Sequence, residues 1–219
     1  MRPMGKPKPG FENRFIEILE MVTKDNIPKP NFFEKLKGKK LPTKEELLQE
    51  WFANQIQSYE TLKAPKVGTD KIANDWIKQK YEESEKEISE TEFIEQHNGF
   101  YVIELSEDKD GVPTYISLGQ DENVFRGQFL VDCTEIIGED LVAEAWNTKN
   151  AEETLDYGNR LMTIATKIAR EKNLEYLSEQ RIPPDLDETN IESKLHILFS
   201  LSKWLIFYGK NGHGYEADF

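Results

Sequence analysis

Residues 150–173 read NAEETLDYGNRLMTIATKIAREKN, and this stretch decides the fold class. Asn150 is a strong helix N-cap, and Glu153 stands at the third helical position, where its carboxylate can return the bond. Leu155, Leu161, Met162, Ala165, Ile168 and Ala169 recur at helical spacing. The pattern predicts a long amphipathic helix running to about Asn173. Toward the C-terminus, Pro183-Pro184 breaks the chain, and Asp185, Asp187 and Glu188 supply the negative charge that suits a helix start. A final helix is expected from near Glu188 to Gly209, with Ile191, Leu195, Leu198, Phe199, Leu205 and Ile206 as its apolar positions.

Toward the N-terminus the periodicity changes. Val124–Val131 can be read as a strand, but Phe125, Phe129, Leu130, Cys133, Ile136 and Ile137 fit one helical face better, with Gly138 as the stop. Phe100–Ser106 and Val112–Leu118 are short apolar runs flanking an Asp110-Gly111 turn signal, which predicts a hairpin. Earlier still, Asp70–Ile88 reads as a helix turned inward through Ile72, Trp76, Ile77 and Tyr81. Thr43 with Glu46 forms a capping box that opens a helix expected to reach about Leu62, with Leu47, Leu48, Trp51, Phe52, Ile56 and Tyr59 inward. Phe11–Lys24 carries the stripe Phe11, Phe15, Ile18, Leu19 and Val22, and Pro28 and Pro30 end it. The expected fold is therefore α+β: a mainly α-helical single domain over residues 11–219 with a central antiparallel β-hairpin. Residues 1–10 form a basic, proline-rich flexible lead, and residues 11–40 dock on the 41–219 body.

Charge is divided unevenly along the chain. Residues 1–40 hold ten basic and five acidic side chains, whereas residues 41–219 hold eighteen and thirty-six. An acidic body repels phosphate backbones, so direct nucleic-acid binding by 41–219 is not expected. It attracts a basic protein instead. The acidity concentrates at Glu82, Glu83, Glu85, Glu87, Glu90, Glu92 and Glu95, with Lys86 as the only cation between them. Residues 29–40 show the opposite bias, five lysines against Glu34, interleaved with Phe32, Phe33 and Leu36.

Cys133 is the only cysteine, which removes an intramolecular disulfide or a CxxC site and suits a reducing cytoplasm. Residues 3–10 lack the apolar run of a signal peptide, and the apolar stretch near Leu195–Tyr208 is broken by Ser200, Ser202 and Lys203, too short and polar to cross a bilayer. Cys133 lies on an apolar face and reads as a buried thiol, not a nucleophile. His97 stands five and two residues after Glu92 and Glu95, which does not share a helical face as a ligand pair must. No cofactor or metal is implied. The most distinctive string is Tyr208-Gly-Lys-Asn-Gly-His-Gly-Tyr215, whose glycines allow unusual backbone angles and close approach of another chain or an anion.

These observations favour a non-enzymatic, acidic protein-binding protein of the bacterial cytoplasm, in the manner of a toxin-neutralising immunity protein or antitoxin. Its contact residues are expected to be the seven glutamates together with Trp204, Tyr208, His213 and Tyr215. One alternative is a hydrolase or transferase whose site gathers around the C-terminal Gly-His-Gly segment. A second is a structural or phage-derived assembly component.

Overall fold

A computed structural model describes residues 1–28, 41–106, 125, 127–180, 183–184 and 190–217. The architecture is mainly helical α+β, and its contacts group into two compact units, Gly5–Gln57 and Met1–Met4 with Ser58–Phe219. The chain opens with two two-residue strands, β1 (Arg2–Pro3) and β2 (Lys6–Pro7), one in each unit. Arg2–Pro3 and Lys6–Pro7 are thus paired backbone within the stretch expected as a flexible lead. Met1 and Met4 are apolar and buried, at 1% and 2% exposure, which anchors this stretch.

In the 5–57 unit, α1 (Glu12–Thr23) and α2 (Lys44–Ala53) bury Phe15, Ile18, Leu47 and Trp51, with the Phe15 and Trp51 rings stacked at 4.8 Å. The Thr43–Glu46 capping box forms as its sequence predicts. Arg14 grips Glu50 with two hydrogen bonds of 3.0 and 2.9 Å. The helix stops at Ala53, well short of Leu62, because Gln55–Ile56 leaves it to form β3, antiparallel to β2. Phe52, expected inward, is 56% exposed, because Leu47 and Trp51, four residues apart, take the buried face and the next residue turns away from it.

The larger unit continues with α3 (Ser58–Thr61), α4 (Lys71–Glu83) and α5 (Glu90–Gln96). Ala73 and Ile77 are the buried positions of α4, and Ile72 turns outward instead of inward. Phe100–Ser106 is not a strand. Tyr101 makes an isolated antiparallel bridge with Lys66, Val102 donates its amide to the Pro65 carbonyl, and Ile103–Leu105 closes into a 3-10 turn. The hairpin's turn and second arm, residues 107–118, lie outside the described residues, as do 29–40 and the Asp185, Asp187 and Glu188 helix start.

A 3-10 segment at Gly127–Cys133 runs into α6 (Thr134–Ile137), so this region takes the helical alternative. After α7 (Glu139–Glu144) comes α8 (Ala151–Lys172), capped by Asn150 and Glu153 and ended by Asn173 in the left-handed region at φ 57°. Its partner is α9 (Ile191–Lys210), which closes the core before β4 (Tyr215–Glu216) pairs antiparallel with β1. Gly158 lies against Leu205, and Gly209 against Leu155, so α8 and α9 run antiparallel. A Cβ on Gly209 would fall 2.7 Å from the Leu155 amide nitrogen, a separation only a glycine allows. Around this pair are buried Leu161, Ala165, Leu195, Leu198 and Trp204.

Candidate functional site

The acidic residues sit on the corner joining α4 to α5. Ser84 ends α4 and donates its hydroxyl to the Tyr81 carbonyl at 2.7 Å, and Lys86 turns the chain at φ 55°. Ser89 then caps α5. Its hydroxyl accepts from the Glu92 amide, and the Glu92 carboxylate accepts from the Ser89 amide at 3.0 Å. Beneath the corner, Tyr81 packs on Phe93 at 5.6 Å and donates its hydroxyl to the Ile88 carbonyl. The apolar base continues through Val67, Ala73, Ile77 and Val102.

On this frame Glu82, Glu83, Glu85, Glu87, Glu90, Glu92 and Glu95 are all exposed. Glu83 is paired with Lys80 at 2.9 Å and Glu82 with Lys86 at 2.7 Å. Glu85, Glu87, Glu90 and Glu95 make no ion pair among the described residues. Hydrogen bonds from Lys80 and Gln79 hold Glu83 below the usual carboxylate range, and those from Ser89 do the same for Glu92. The corner therefore presents an acidic ridge whose charge is only partly offset.

The other four expected contact residues are placed differently. Trp204, Tyr208, His213 and Tyr215 are each 0% exposed, which removes them from any recognition surface. Trp204 contacts Tyr208 edge-on at 4.8 Å and Tyr215 at 6.4 Å. The intervening glycines explain the burial. Gly212 takes φ 83°, and Gly214 passes so close to the Lys149 carbonyl that a Cβ would stand 2.1 Å from it. The string thus folds back into the core and does not trail as a surface loop.

His213 donates Nδ1–H to the Met4 carbonyl at 2.7 Å, and its Nε2 meets the Thr61 hydroxyl at 2.8 Å. His196 is 6% exposed, bonded through Nε2 to the Gln180 carbonyl at 3.1 Å, and its pKa is lowered by burial. His97 bonds the Phe93 carbonyl through Nδ1 at 2.7 Å. Each of these bonds goes to a backbone carbonyl or a hydroxyl. Cys133 is fully buried, and desolvation pushes its thiol up to about 12, the state of a structural cysteine. Among the described residues no group of three or more His, Cys, Asp or Glu side chains is placed to hold a metal ion. Among them, too, no helix is long and apolar enough to cross a membrane.

A second polar constellation escaped sequence reasoning. Glu144 accepts two hydrogen bonds from Arg160, at 2.7 and 2.6 Å, and one from Lys149 at 3.1 Å. Arg160 foremost, with Lys149, holds its carboxyl at about 2. The Tyr157 ring faces both cations, Lys149 at 5.3 Å and Arg160 at 5.5 Å. Beside this node, the outer face of α8 bears two shallow, adjoining grooves of about 450 and 560 Å³, sharing Asn159 and Thr163. The available signal was the polar stripe Asn159, Thr163, Thr166 and Arg170, at helical spacing opposite the apolar one. Compared with protein-family models, with curated proteins and with solved structures, this chain matches none.

Proposed function

We propose that this chain is a non-enzymatic, acidic protein-binding protein that captures a basic partner on the α4–α5 ridge. Its concrete form is a bacterial toxin-neutralising immunity or antitoxin-like protein working in the cytoplasm. The observation that carries this reading is the ridge itself: seven exposed glutamates, five of them without an ion pair among the described residues, on a corner fixed by a capping box and an aromatic base. A fixed array of like charges steers an oppositely charged protein and fixes its register. The buried Trp204, Tyr208, His213 and Tyr215 take no part in the contact.

The test is affinity capture from a native extract with the full chain as bait, followed by association kinetics against the captured protein. A basic partner is expected, with an association rate that falls as salt rises. The E85K/E87K/E95K variant should slow association by about tenfold or more while melting as wild type does. A captured partner whose rate ignores both salt and charge reversal would remove the ridge from the mechanism.

A further inference from the structure

Toward its C-terminal end the outer face of α8 carries positive charge on a chain whose net charge is −13. Glu152, Glu153 and Asp156 balance it over the whole helix, and Arg160 is already paired with Glu144 and Asp156. From Arg160 to Lys172 there are four cations and one acid, Glu171. Arg170 and Lys172 also complement the negative end of the helix, but Arg160 and Lys167 lie outside that last turn. Lys167 and Arg170 are exposed and make no ion pair among the described residues. Between the cations the grooves are floored by half-buried Leu141, Met162 and Ile164, with Asn159, Thr163 and Thr166 along the wall. From Asn159 to Arg170 the face is about 16 Å long, at 1.5 Å per residue, enough for the side chains of a helical corner.

We infer that this face receives the acidic ridge of a second copy of the chain. Charge complementarity identifies the occupant. The unpaired carboxylates of Glu85, Glu87, Glu90 and Glu95 supply what Lys167 and Arg170 lack, and both surfaces belong to the same compact unit. Because the two patches differ, the contact is heterologous: each copy offers a ridge to one neighbour and an α8 face to another. Such a contact is weak and salt-sensitive, since both partners are exposed charges. It goes beyond capture of a basic partner and holds whether or not one exists. Where both occur, they compete for the ridge.

Sedimentation velocity of the full chain over a concentration series tests this. At low salt the average sedimentation coefficient is expected to rise with concentration and to return to the monomer value as salt increases. K167E/R170E should raise the dissociation constant about tenfold or more, and E85K/E87K/E95K should do the same. The milder K167Q/R170Q pair should shift it less in the same direction. Mixing the two charge-reversed chains should restore association, because each then offers the other's complement while both remain net negative. A monomer at every concentration in low salt overturns the inference. So does association unaltered by K167E/R170E, or a mixture that stays monomeric.

Discussion

Glu144 shows how a single side chain can organise a region from the half-exposed margin of the core. Its folded pKa, held at about 2 by Arg160 and Lys149, lies below that of an unstructured glutamate. Its contribution to stability is therefore complete above about pH 4.5 and is lost as pH falls toward 2. Glu144→Gln should cost roughly 1–2 kcal/mol at neutral pH, because Arg160 and Lys149 lose their shared partner. The same substitution should flatten the acid limb of stability measured by denaturant titration between pH 5 and 2. His213 makes a contrasting case. With both ring nitrogens engaged and no exposure, His213→Ala should cost about 3 kcal/mol or more while the surviving folded protein binds partners as before. Loss of binding without loss of melting temperature would instead place that imidazole at a contact.

At the scale of elements, the ridge depends on the start of α5. Ser89→Ala removes the hydroxyl that the Glu92 amide donates to, and should weaken this short helix by about 1 kcal/mol. Faster amide hydrogen exchange across Glu90–Gln96, with α8 unchanged, is the expected record. Helix starts of this kind are legible in a sequence because cap and responder stand three residues apart, and Thr43, Asn150 and their glutamates all behave as their spacing implies. The end of α2 was not legible. It is set by pairing of Gln55 with Pro7, which no local window contains. Phe100–Ser106 misled for the same reason. Its alternation is that of a strand, but its hydrogen bonds go to residues 65–67 and a 3-10 turn takes the rest. The ridge could be read because consecutive charge is a local property. The Glu144 node could not, since its cations stand five and sixteen residues away.

For the whole molecule, the net charge of −13 acts in opposite directions on folding and on association. Self-repulsion opposes compaction, so raising salt from low to moderate concentration should increase the denaturation midpoint even as it slows capture of a basic partner. Parallel denaturant melts and association rates on one salt series measure both signs at once. A midpoint that falls with salt would mean that specific ion pairs such as Arg14–Glu50 and Arg160–Glu144 outweigh the general repulsion.

The pairing of β1 with β4, and of His213 with Met4 across 209 positions, bears on how the protein is made. Residues 1–4 belong to a unit whose closing strand is synthesised more than two hundred residues later. Gly5–Gln57 can settle soon after it emerges, since its strands and helices are near neighbours in the chain. The larger unit cannot complete itself until translation has passed Glu216, which leaves its apolar helices waiting and places a premium on chaperone protection during synthesis.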